Sequence, residues 1–299
     1  MLIRFISVLI VLASSSAFGW GAIGHQIIAY TGANSATEGK VFWSKNIESM
    51  RTLSTVPDRL WKTPALKPHE GLTHWFQVDA YYKPVDFGNI ISFPSAYSQA
   101  ISRYSESNVL INGTAPWRIR QLYQLAFQAL KLGSAEKALQ YVGVMSHYIG
   151  DLSQPLHVTE NHNGQLSGNL GIHSYFETSV IIDEIAIRAD VQKRTAILLK
   201  DGKYLSQFNG SLMDVILFSV ERSVKQLETV LSNDKKYGRN VNGAAIQLEL
   251  AKDRLADGSA TFAMILNQLW KETGRNDLAS TVKVDEPQWI KPDYSNLTF

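Results

Sequence analysis

The chain contains no cysteine. Disulfides, thiolate metal sites and cysteine nucleophiles are therefore excluded, and any bound metal must be held by His, Asp, Glu or main-chain groups. An excess of one charge is also lacking: 29 basic residues face 27 acidic ones, for a net charge of +2 with histidine neutral. That balance gives no electrostatic basis for tight duplex DNA binding or for adhesion to a strongly anionic membrane. No run of alternating strands, internal repeat or disordered linker is evident. Long apolar runs are confined to the N-terminus, where Phe5 to Ala13 follows Arg4 and is too short to span a bilayer.

That run ends in small residues. Ala17 and Gly19, separated by Phe18, form a signal-peptidase pattern. The expectation is a signal peptide over 1–19 and one catalytic domain over 20–299, exported to the periplasm or beyond the cell. Loss of Arg4 leaves 28 basic against 27 acidic residues, and Trp20 becomes the first residue of the mature chain. With no disulfides available, stability must come from a large core, aided by any bound metal.

What is present is mostly helical periodicity. "RIRQLYQLAFQALKLG" places Ile119, Leu122, Tyr123, Ala126 and Leu130 on one face, with Gly133 as a stop. "SAEKALQYVGVMSHYIGDL" follows, with Ser134 as N-cap and Leu139, Val142, Met145 and Ile149 as a core stripe. "HSYFETSVIIDEIAIRADVQKRTAILL" reads as one longer helix. "GSLMDVILFSVERSVKQLETVL" and "GAAIQLELAKDRLADGSATFAMILNQLWKET" read as two more, and "GAIGHQIIAYTGANSA" as the first. The irregular stretches are about 54–72, 83–94, 153–171 and the tail from about 276. The fold class expected is all-α, a single helical domain.

The chemistry concentrates in seven histidines. In "SHYIGDLSQPLH", His147 and Asp151 are four apart, which puts both on one helix face within reach of one metal. Gly150 keeps the approach open, Pro155 stops the helix, and His157 follows. In "GIHSYFE", His173 and Glu177 repeat the spacing. Helical His/carboxylate pairs on adjacent helices build polynuclear metal sites in bundle cores. Nitrogen and oxygen ligands without sulfur suit zinc, manganese or iron.

The blocks "WGAIGH", "VPDRLW", "THWFQVDA" and "SHYIGDLSQPLH" resemble, in order and spacing, those of zinc-dependent nucleases of the nuclease P-one type. These share a fold with bacterial zinc-dependent phospholipases C. The resemblance runs from Trp20 to about Glu177. It implies an exported, mostly helical enzyme with three zinc ions per chain in a cleft. One zinc would take Asp58, His74, His147 and Asp151. A second would take His157, His173 and Glu177. The third would take His25, Asp151 and the amino group and carbonyl of Trp20, so that cleavage after Gly19 is also an activation step. His69 and His162 are read as surface residues.

Two features depart from the nuclease pattern and one keeps to it. Phe176-Glu177 stands where the nucleases have an aspartate after a tryptophan, and His followed four residues later by Glu matches the phospholipases. The five-residue gap from Trp20 to His25 matches the nucleases. Trp61 occupies the nucleases' basic position, which leaves Arg59 and Lys62 as candidates for binding substrate phosphate. The chemistry suits hydrolysis of a phosphate ester, with Asp58 steering the attacking water as well as binding metal. The first expectation is a nuclease, including endonuclease and 3'-nucleotidase activity, on single-stranded DNA or RNA. Trp75 would stack on a base and Asp79 would hydrogen-bond its edge. The alternatives are a phospholipase C acting on lipid head groups and a non-catalytic zinc-binding protein. No stable protein partner is inferred.

Overall fold

The computed structural model describes residues 20–82, 90–275, 278, 281–282 and 293–294. The expected signal peptide, part of the 83–94 stretch and most of the tail lie outside the described residues. Within them, all regular structure is helical, and one all-α domain results.

Helix α1 (Ala22–Ser35) is followed by the short helices α2 (Lys40–Lys45), α3 (Ile47–Leu53), α4 (Val56–Leu60) and α5 (Lys67–Glu70). After α6 (Tyr97–Tyr104) and α7 (Glu106–Ile111) comes the central pair α8 (Ala115–Lys131) and α9 (Ala135–Ser153). Pro116 suits the first turn of α8, where its missing N–H costs nothing. The five residues expected on its core face are all buried, as are the four of the α9 stripe. Gly133, at φ +72°, turns the chain between them. Ser134 sits at the N-cap of α9, but its side chain makes no capping bond there.

The expected single helix from His173 to Leu199 is broken. A short turn (Ile172–Ser174) runs into a wide π turn (Tyr175–Ser179), and residues 180–183 leave helical geometry. Val180 and Ile181 bury in the core at this point, drawing the chain off the helical path. Asp183 then starts α10 (Glu184–Leu198) by accepting from Ala186 N at 3.0 Å. Helices α11 (Gly202–Ser206), α12 (Leu212–Tyr237) and α13 (Val241–Thr273) complete the order. Ser211 and Asp214 form a reciprocal capping box on α12.

Two apolar clusters form the interior. One surrounds α8 and α9 with residues from α3, α12 and the end of α13. The other joins Trp20, Ile27 and Ile28 to Leu156, Ile172, Phe176, Ile187 and Leu255. Helix α1 lies along α13, where Gly32 permits the approach. A Cβ there would stand 2.6 Å from the Phe262 ring and 2.9 Å from the Ser259 carbonyl. Helix α1, which bears His25, and the 155–158 turn, which bears His157, contribute residues to both clusters, while those around His147 and His173 belong to one each.

Candidate metal centre

Eight polar side chains converge where these segments meet. His25 projects from α1, Asp58 from α4 and His74 from the residue after a 3-10 turn (Gly71–Thr73). His147 and Asp151 lie one turn apart on α9, and His157 lies on a 3-10 turn (Pro155–Val158). His173 and Glu177 straddle the start of the π turn. All except Asp58 are buried, and Asp58 is only slightly exposed.

Asp151 is the hub. Its Oδ2 lies 3.0 Å from His74 Nδ1 and 3.4 Å from His147 Nε2. Its Oδ1 lies 3.5 Å from His25 Nε2 and 3.9 Å from His157 Nδ1. His74, His147 and Asp151 could hold one cation; so could His157, His173 and Glu177; so could His25, Asp58 and His147. In the last group His25 stands with Asp58 and His147, whereas the sequence expectation put it with Trp20 and Asp151. Its ring also stacks on His147 at 3.8 Å. As anticipated, Gly150 makes room: a Cβ would lie 3.0 Å from His25 Nδ1.

Outer contacts orient the imidazoles. His147 Nδ1 is 2.7 Å from the Ser54 carbonyl, His157 Nδ1 is 2.6 Å from the His74 carbonyl, and His173 Nδ1 is 2.7 Å from the His162 carbonyl. His74 Nε2 is 3.0 Å from Glu70 Oε1. An oxygen acceptor at each of these nitrogens places the ring proton there and turns the other nitrogen's lone pair inward. As a result His74 Nδ1 and His147 Nε2 face each other at 3.1 Å, lone pair to lone pair, and His157 Nε2 and His173 Nε2 do the same at 3.1 Å. Neutral imidazoles so arranged repel; a cation between them satisfies both. Both Asp151 oxygens and both His25 nitrogens are buried without a hydrogen-bond partner. The donor set fits zinc.

The electrostatics agree. Burial, followed by the neighbouring cations and imidazoles, holds His25, His74 and His147 well below the ordinary imidazole range. They are therefore neutral and able to ligate. Burial, followed by the charge of Asp58, pushes Asp151 well above the ordinary carboxyl range, a penalty that divalent ions relieve. For Asp58, burial acts upward, but Lys62 and His74 outweigh it and hold the carboxyl down.

The substrate candidates are placed unequally. Lys62 Nζ is 2.5 Å from Asp58 Oδ1, at the edge of the cluster, whereas Arg59 is exposed on α4. Trp75 is half-buried beside His74, its indole N–H 3.4 Å from the Ile111 carbonyl. Asp79 has both oxygens engaged within the fold, accepting from Thr159 Oγ1 at 2.6 Å and from Glu160 N at 2.8 Å. Its role here is to clasp the loop after His157. Trp20 is fully buried, with its indole N–H on Ser153 Oγ at 3.0 Å, and the next residue's N–H reaches the Glu177 carbonyl at 3.3 Å. His69 is exposed, and His162 is half-buried with its carbonyl on His173. Glu70 was not anticipated. Its four-residue spacing to His74 is the same signal that marked the two ligand pairs.

A family model described as zinc dependent phospholipase C matches residues 22–217, which span all eight of these side chains. The chain belongs to the zinc-dependent phospholipase C family. The donor set above is one that suits the metal in that family's description. A curated relative from Bradyrhizobium tropiciagri, described as a probable serine protease, is 25% identical over 224 residues, covering 64% of this chain. The chain spans only 28% of that relative's length. The alpha toxin of Clostridium absonum shares the fold, with a TM-score of 0.52 and 16% identity over 87% of this chain and 68% of the toxin. An alpha-toxin from an avian strain of Clostridium perfringens has a TM-score of 0.46 at 16% identity, covering 88% and 66% of the two chains. Among the described residues no helix is long and apolar enough to cross a membrane.

Proposed function

We propose that the chain is an exported phosphodiesterase whose single active cleft is built around Asp151 and holds three zinc ions. The observation carrying this reading is the buried Asp151 carboxylate, with one oxygen toward His74 and His147 and the other toward His25. A carboxylate so placed could serve as ligand to more than one ion. When bound, zinc supplies charge neutralisation for phosphate oxygens and a water acidified to near neutrality. The chain's own residues do the rest. Asp58 orients the attacking water, Lys62 meets the phosphate at the cleft edge, and burial holds His25, His74 and His147 toward the neutral form. Removal of residues 1–19 would free the Trp20 amine beside Glu177 as a further ligand. A protein beginning at Gly19 should lose about one zinc and most of its activity; full zinc and full activity would refute that role.

For the substrate, a phospholipid head group is the first reading. It is supported by the His173–Glu177 pair, at 2.8 Å, and by Leu166 and Leu170, exposed on the loop that joins His157 to His173. Single-stranded nucleic acid is the second, favoured by Trp75 beside His74 as a stacking surface. Zinc-loaded protein should be assayed side by side on phosphatidylcholine vesicles, single-stranded DNA and RNA. Cleavage of nucleic acid alone would transfer the assignment to a nuclease. Cleavage of none would favour a zinc-holding protein.

A further inference from the structure

One buried carboxylate beside the cluster is not itself a candidate ligand. Glu70, at the end of α5, is fully buried. Its Oε1 is reached by His74 Nε2 at 3.0 Å and by the Tyr148 hydroxyl at 2.7 Å. Its Oε2 accepts from the hydroxyl of Tyr294, 224 positions away in sequence. The Tyr294 ring stacks on His69 with centroids 5.7 Å apart and 20° between planes. The buried Arg118 guanidinium lies 5.2 Å from the Tyr294 ring and 5.6 Å from that of Tyr148. Its Nη1 also donates to the Asp293 carbonyl at 2.7 Å. Residues 293–294 are thus fastened by backbone, hydroxyl and ring onto the group that orients His74.

A buried carboxylate is tolerated only when donors satisfy it. Three donors converge on Glu70, and each removes a direction in which the carboxylate could turn. His74 depends on that orientation, because the bond from its Nε2 leaves Nδ1 toward Asp151 and His147. We propose that Tyr294 is a positioning residue for the metal centre. By docking on Glu70 it fixes the carboxylate that fixes His74, and so raises the affinity of the metal site. This rests on His74 being a zinc ligand.

The test compares full-length wild type with Tyr294→Phe, Glu70→Gln and a chain ending at residue 292. Zinc affinity is measured by competition with a chromophoric chelator. Cobalt(II) absorption reports ligand geometry, and thermal melts of the metal-free proteins report folding. Outer-shell changes weaken metal binding by roughly 10–100-fold. Glu70→Gln should fall within that range and Tyr294→Phe near its low end. Both should alter the cobalt spectrum, and metal-free Tyr294→Phe should melt as wild type does. Equal affinities and identical spectra for wild type, Tyr294→Phe and the shortened chain would overturn the proposal. Failure of the wild type to bind zinc or cobalt would overturn the ligand assignment itself.

Discussion

Asp151 is the residue on which the site turns, because its two oxygens face different imidazoles. Asp151→Asn keeps its shape and removes its charge. It should cost at least one equivalent of zinc and more than about a hundredfold in rate, the upper end of what losing a ligand's hydrogen-bond partner costs. Elemental analysis alongside kinetics checks both. Lys62 and Arg59, equal candidates by sequence, separate in space. Lys62→Met should raise KM for a phosphate ester about tenfold, the equivalent of one charged hydrogen bond, while Arg59→Ala leaves it unchanged. Equal effects of the two would remove Lys62 from phosphate binding. Of the candidate ligands, His147 with Asp151 and His173 with Glu177 stood out by their helical spacing, whereas His25, Asp58 and His74 were offered only by the family resemblance. The network of Glu70, Arg118, Tyr148 and Tyr294 was not legible, since a hydrogen bond joining residues 224 apart leaves no local pattern. Asp79 shows the limit from the other side: an acid in a turn reads the same whether it meets a ligand or, as here, ties down the next loop.

Among the elements, amphipathic periodicity located α8 and α9 because each buries a continuous stripe against the same core. The division between His173 and α10 escaped it, since "HSYFETSVIIDEIAIRA" contains no glycine or proline to mark a stop. The break comes from tertiary packing of Val180 and Ile181 and from the π turn that carries Glu177. Such wide turns collect at functional sites because they redirect a side chain without ending the helix. Helix α1 approaches α13 closely at Gly32. Gly32→Ala should destabilise the fold by about 1–3 kcal/mol through overpacking against Phe262, with zinc stoichiometry unchanged. Urea unfolding of the loaded protein measures it, and a neutral result would mean that α1 slides freely on α13.

For the molecule as a whole, a second polar knot stands behind the metal cluster. Asp257 on α13 accepts from Arg222 Nε and Arg254 Nη2, both at 2.6 Å, and Arg254 Nε donates to the Ser153 carbonyl near the end of α9. Burial acts to raise the Asp257 carboxyl, but the two guanidiniums outweigh it and hold it below its ordinary value of 3.8. A group lowered in the folded state contributes fully above its unfolded value and loses that contribution as pH falls through the folded one. Asp257→Asn should therefore cost about 3–5 kcal/mol at pH 7. The gap from wild type should narrow below about pH 3.8, as read by urea titration of the metal-free proteins. A gap that stayed constant with pH would mean the charge is not what stabilises the knot.

The spread of the ligands along the chain has a further consequence, one of polymer topology. Residues 25, 58, 74, 147, 151, 157, 173 and 177 meet at one place, so ions bound there act as cross-links that close several chain loops at once. In a sequence with no cysteine these would take the place of disulfide staples, and they could be released without reducing agent. The loop from Thr159 to Gly171 is pinned at both ends by His157 and His173, and it exposes Leu166 and Leu170. Chelation should turn this stretch into the first site of proteolytic nicking, while the loaded protein withstands the same protease.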